Sequence, residues 1–142
     1  MNTLLEEFEH IIQKFSSQIL EINDDDFNRK LEPDKWSKKE ILGHLVDSAF
    51  VNYQRFIRAR FEENPSIYYD QVAYCASAGY QHAEAEKLCN LWRSVNEQLL
   101  FLFKQVIANK LIQRTCNDHS LEFLMLDYVV HLKHHRNQIL SE

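Results

Sequence analysis

The chain of 142 residues has only two glycines and two prolines. Average usage would make that pair roughly 12% of a chain. β-Sandwiches, dinucleotide-binding α/β folds and phosphate-loop enzymes all need more tight turns than this. Few turns mean few elements, and few elements over this length mean long helices. Cysteine is also scarce. Cys75, Cys89 and Cys116 are odd in number and lack C-x2-C spacing. That argues against a disulfide framework or a cysteine zinc site, and fits free thiols in a reducing, cytoplasmic setting. No apolar run reaches the ~18 residues that a membrane span requires. The stretch from Met1 to Gln13 is acidic and amphipathic, without the basic start and continuous apolar core of a signal peptide. Lys and Arg total 16 against 21 Asp and Glu, a formal charge of −5. Binding driven by phosphate contacts relies on clustered cations, so neither a nucleic-acid nor a membrane partner is expected.

Hydrophobic residues make up 45% of the chain and charged residues 26%, which excludes a disordered chain and fits one globular domain over residues 1–142. Four helical segments are predicted. Leu4, Leu5, Phe8, Ile11, Ile12, Phe15 and Ile19 form an apolar stripe over a first helix from about Thr3 to Ile22, with Thr3 and Glu6 in capping-box spacing. Asn23 to Phe27 reads as its exit turn. Ser37 and Glu40 repeat the capping pattern, with Trp36 where a hydrophobic staple residue sits. The second helix is expected from Ser37 to about Glu63, stopping before Pro65. Residues 65–80 form the one long loop, rich in tyrosine; such a loop is functional or carries short helical turns. A third helix spans about His82 to Ala108 on Leu88, Leu91, Trp92, Val95, Leu99, Leu102, Phe103 and Val106. A fourth starts near Asp118 or Ser120 and runs to Leu140. Steps of three and four along these stripes predict an all-α four-helix bundle with one long loop between the second and third helices.

Seven histidines are present, and two of them break the pattern of the fourth helix. Leu121, Leu124, Tyr128, Leu132 and Ile139 share its inward side at about 100° per residue, and His131 and His135 fall in the same sector. They stand one turn apart, so both rings can address one ligand. Imidazoles in an apolar stripe are costly unless their nitrogens are satisfied. A divalent metal does that; hydrogen bonds to neighbouring groups do it as well, and spacing alone leaves both readings open. His44, on the edge of the second helix's apolar stripe, completes a three-histidine set with open positions. Ser48, Asn52 and Arg55 follow it turn by turn, either lining a pocket or facing solvent. Asp47, Asp127 and Gln138 have the spacing to orient a histidine ring, or are plain surface residues. Asp47 is the candidate for orienting a ligand or relaying a proton, Tyr68 or Tyr69 for closing the pocket, and Arg55 for pairing with a carboxylate of a bound small molecule. His10, His82, His119 and His134 read as surface or flank residues, and Cys75 as an incidental free thiol.

Two blocks resemble the DinB/YfiT-like family of metal-dependent enzymes. Trp36-Ser37-Lys38-Lys39-Glu40-Ile41-Leu42-Gly43-His44-Leu45 is similar to the family's W-S-x-x-E-[IV]-x-x-H-[LVI] opening of the second helix. His131-Leu132-Lys133-His134-His135-Arg136-Asn137-Gln138-Ile139 is similar to its closing H-x-x-x-H-x-x-Q-I. Within the family the YfiT-like branch is nearest: His44-Leu45-Val46-Asp47-Ser48 followed by Arg55-Phe56 resembles its H-x-A-D-S…R-F stretch. The chain departs from that branch at Val46 and at Tyr74, where Ala and Trp are usual. The resemblance implies a four-helix bundle holding a divalent metal on His44, His131 and His135. It implies zinc or nickel, with manganese or cobalt as alternatives. It also implies chemistry related to thiol S-transferases that use a low-molecular-weight thiol such as bacillithiol, or hydrolysis, and frequent homodimers. The expected function is therefore a metal-dependent enzyme activating a thiol or water toward a small-molecule electrophile. A non-catalytic metal- or small-molecule-binding bundle, or a dimeric interaction module, is the alternative.

Overall fold

The computed structural model describes residues 1–142. Six α-helices carry the chain: α1 (Asn2–Leu20), α2 (Asp24–Asn28), α3 (Lys38–Arg58), α4 (Gln71–Ala78), α5 (Ala85–Ala108) and α6 (Leu121–Leu140). A short hairpin, β1 (Thr115–Cys116) with β2 (His119–Ser120), precedes α6. The four long helices α1, α3, α5 and α6 form the expected bundle. α5 packs on both α1 and α3, and α6 packs on the same two. Helices consecutive in the bundle, α1 with α3 and α5 with α6, therefore sit across it rather than side by side. The core runs the length of the bundle, with Phe8, Phe15, Phe56, Trp92, Phe103, Leu121, Met125 and Leu132 among its fully buried side chains.

The second capping signal is realised in full. Ser37 Oγ accepts from the Glu40 amide and Glu40 Oε1 accepts from the Ser37 amide, so α3 starts where the sequence says it does. The first capping signal is not realised. α1 begins at Asn2 with Met1 as its cap, which leaves Thr3 inside the first turn with no capping bond. The expected exit turn at Asn23–Phe27 is a short helix instead: the Asn23 side chain caps it through the Asp26 amide, and three aspartates occupy its positive end. α3 stops at Arg58, short of Glu63. The Arg114 guanidinium takes the Ala59 and Glu62 carbonyls, which a continuing helix would use itself, and Asn64 turns left-handed at φ 44°. α5 starts at Ala85, because Tyr80–His82 form a 3-10 turn behind the left-handed Gly79. The long loop carries α4, as one of its two readings allowed. The hairpin was not foreseen; its turn residues Asn117 and Asp118 both have positive φ, the conformation of a tight two-residue turn.

No helix is long and apolar enough to cross a membrane. All three cysteines are buried and unpaired. In the third-helix stripe only Leu91 faces outward.

Candidate metal centre

α3 and α6 pack against each other and bring His44, His131 and His135 together. One ring nitrogen from each lies within 4.8 Å of the other two. His44 Nε2 and His131 Nε2 are 3.2 Å apart. Two nitrogens sharing one ion at ~2.0–2.1 Å stand ~3.0–3.4 Å apart, so this spacing suits a common metal. His44 is the buried member, 1% exposed, while His131 and His135 are half-buried. The His44 Nδ1 atom is buried with no hydrogen-bond partner. The Trp36 ring covers the outer side of His44 at 5.0 Å between centroids.

Gln138 bonds the third histidine. His135 Nδ1 stands 2.7 Å from Gln138 Oε1. A carbonyl oxygen only accepts, so His135 carries its proton on Nδ1 and keeps the Nε2 lone pair free. The amide nitrogen of Gln138 stands 3.4 Å from His134 Nε2. Gln138 is thus a ring-orienting partner as well as an exposed residue. Its replacement by leucine is expected to weaken metal binding by about tenfold, the lower end for loss of such a partner. Isothermal titration with zinc checks this, and unchanged affinity would remove Gln138 from the site.

Burial, with the neighbouring His131 and His135 charges, lowers the His44 pKa to about 4. Burial, then the His135 charge, lowers that of His131 to about 4 as well. Burial also holds His135 below the usual range, against the Gln138 bond. All three imidazoles are therefore neutral near pH 7, with lone pairs available. A donor set of three neutral imidazoles suits zinc, nickel, copper or iron better than magnesium or calcium. The residues present fit a divalent metal.

A cavity of about 170 Å³ opens beside His131, between α3 and α6. Ser48, Asn52 and Arg55 line it, together with Tyr69 and Asp127. Tyr69 is the loop tyrosine at the pocket; Tyr68 points outward, 72% exposed. Arg55 also has a structural role. Its Nε and Nη2 both donate to the Ile67 carbonyl, at 3.0 and 2.9 Å, so the guanidinium anchors the loop that presents Tyr69. Asn117 grips the same residue, accepting from the Ile67 amide at 2.7 Å and donating to its carbonyl at 3.1 Å. A second cavity of about 180 Å³ lies on the other side of the centre, against Trp36, Ile41 and Gln138.

Asp47 does not orient a histidine. Its Oδ1 accepts from the Tyr80 hydroxyl at 2.5 Å, and its Oδ2 is buried without a partner. Burial pushes its carboxyl above the usual range, opposed in part by the Tyr80 bond. Sequence spacing could not reveal Tyr80, which lies far along the chain. The available signal was Gly43, a glycine inside a helix, which often marks close approach. A Cβ on Gly43 would lie 2.1 Å from Tyr80 Cδ2. Gly43→Ala is expected to displace the Tyr80 ring and destabilise the fold by about 1–2 kcal/mol, overpacking outweighing alanine's ~1 kcal/mol helix preference. Urea denaturation reads this; a more stable variant would show that the ring yields freely. Asp127 is exposed and makes no ion pair, and it faces the His131 cavity. Burial, with the Glu40 and Asp47 charges, pushes the Cys75 thiol up to about 11, so it is not a reactive thiolate.

The DinB superfamily model matches residues 2–139, and the chain belongs to that superfamily. No curated protein matches it. Among solved structures, the chain is similar to YfiT from Bacillus subtilis, with a TM-score of 0.85 and 21% identity, over 97% of this chain and 82% of that one. That protein is described as a probable metal-dependent hydrolase with an unusual four-helix bundle topology. At this identity the likeness is one of fold, and it agrees with the bundle expected from the sequence.

Proposed function

We propose that the chain is a divalent-metal-dependent enzyme acting on a small molecule. The observation that carries this reading is the convergence of His44, His131 and His135 beside a polar cavity. Three protein ligands leave positions open, as in catalytic sites rather than closed structural ones. A bound zinc or nickel ion, with manganese or cobalt as alternatives, would supply Lewis acidity that lowers the pKa of a water or thiol and polarises an electrophile.

The chain's own residues serve the rest. All three cysteines are buried, so the nucleophile enters from outside, as water or a low-molecular-weight thiol. The Ser48 and Tyr69 hydroxyls and the Asn52 amide offer hydrogen bonds to a substrate in the cavity. Asp47, one turn beyond His44, takes the proton-relay role: its free Oδ2 is an acceptor and its raised pKa suits a base. Hydrolysis is the first reading, supported by the description of YfiT. Thiol transfer is the second, supported by the likeness of the His44–Ser48 and Arg55-Phe56 stretch to the YfiT-like branch.

The test uses protein stripped with chelator and reloaded with zinc, nickel or manganese. Ester and amide substrates are assayed for hydrolysis, and a thiol with a generic electrophile for thiol consumption. Turnover that appears only on reloading supports the proposal and separates its two readings. Stoichiometric metal without turnover leaves a non-catalytic binding module. Failure to take up any metal overturns the reading at its root.

A further inference from the structure

α1 and α6 share a seam that holds a second feature, built from none of the side chains of the histidine centre. At one point along it Lys133 Nζ and Glu7 Oε1 pair at 2.9 Å. Further along, the two helices face each other across a cavity of about 310 Å³. His10, Lys14 and Gln18 form one polar wall, and Arg136 and Asn137 the other. The floor is apolar: Phe15 is fully buried, and Ile11 and Leu140 flank it. No carboxylate lines this cavity, although the chain has 21 acidic residues against 16 basic ones.

Neither cation has an acid within reach on its own helix. Lys14 has His10 four residues before it and Gln18 four after; Arg136 has Leu132 and Leu140 at the same spacing. Arg136 Nε and Nη2 donate only to the Asn137 side-chain oxygen, at 3.2 and 3.1 Å. Lys14 makes no ion pair, in contrast to Lys133 on the same seam. Like charges brought together across a helix interface repel, and a counter-anion relieves that repulsion.

We propose that this groove is a ligand site for a small amphiphilic oxyanion. A phosphate or carboxylate head sits between Lys14 and Arg136, with Gln18 and Asn137 as further donors. The guanidinium fork suits two oxygens of one head group. A short apolar tail lies along Leu140, over the apolar floor.

The probes are hexyl phosphate, hexanoate, inorganic phosphate and hexanol, titrated calorimetrically into the full-length chain. Hexyl phosphate or hexanoate is expected to saturate one site, with inorganic phosphate weaker and hexanol silent; the better of the two heads identifies the anion. Binding persists in the His131→Ala, His135→Ala double variant, which separates this groove from anion binding at the metal centre. Lys14→Glu and Arg136→Gln each weaken it by at least ~10-fold, the loss of one charge-assisted contact. Lys14→Glu also raises the melting temperature without ligand, because a carboxylate then faces Arg136. The proposal is overturned if no probe saturates below about 10 mM, if hexanol binds as well as the anions, or if the two groove variants bind unchanged.

Discussion

Replacing His131 and His135 together by alanine is expected to abolish stoichiometric metal binding while leaving the bundle folded. Loss of a single ring-orienting partner costs ~10–100-fold in affinity, so removing two of three ligands should lower zinc affinity by well over ~100-fold. The stability of the metal-free protein separates the competing accounts of these residues. If the histidines were core residues satisfied by one another, the double variant would lose packing and hydrogen bonds and melt early. The geometry argues otherwise. Both side chains are half-buried; His131 Nε2 faces His44 Nε2, and the one bond His135 makes outside the cluster is to the exposed Gln138. Removing them relieves a crowd of lone pairs. The metal-free double variant should therefore melt no lower than metal-free wild type, while the gain in melting temperature that zinc gives wild type disappears. His44 is the poorer choice for this test. It is fully enclosed beneath Trp36, so its truncation also opens a cavity. Elemental analysis with thermal denaturation decides it; a double variant that keeps its metal would place the ligands elsewhere.

The three histidines were legible because their signal is local or periodic. His131 and His135 share a helical face, and the capping box at Ser37–Glu40 fixed the phase of α3 from its first residue, which in turn placed His44 and the Ser48-Asn52-Arg55 row. What escaped the sequence depends on contacts across the fold. Tyr80 meets Asp47 across 33 residues of chain, and Asn117 meets Ile67 across 50. No spacing rule encodes such pairs. The end of α3 was misplaced for the same reason: Arg114, 55 residues beyond Ala59, competes for its carbonyl. Asn23–Phe27 failed differently. Three consecutive aspartates look like a turn, yet next to an Asn cap they favour a helix start. Arg55 shows the limit of naming a role from position. It stands at the pocket, and two of its donors also hold the loop that completes the pocket wall.

Acid is expected to destabilise the metal-free protein in a window set by the same histidines. Burial is the first cause that brings the His44 pKa down to about 4, and likewise that of His131. In the unfolded chain an imidazole titrates near ~6.5. Between about 6.5 and 4 the unfolded state therefore binds protons that the folded state refuses, so stability falls as pH falls through that window. The contribution is complete above the upper limit and gone below the lower one. For His44, buried to 1% exposure, a shift of this size is on the order of 3 kcal/mol. Asp47 acts in the opposite sense, since its raised pKa lets the folded state take up a proton first. Urea titrations in chelator from about pH 7 down to pH 4 should show this decline, shallower in His44→Gln. A flat profile in wild type would mean that the three rings take up protons over the same range whether folded or unfolded. The same depression makes bound metal unusually resistant to acid. An ordinary histidine site begins to lose its ion once protons compete below ~6.5, whereas ligands already neutral well below that value compete only near their own pKa. Metal retention down to about pH 5 is thus the counterpart of the instability of the empty protein: burial removes the protons that the metal would otherwise have to displace.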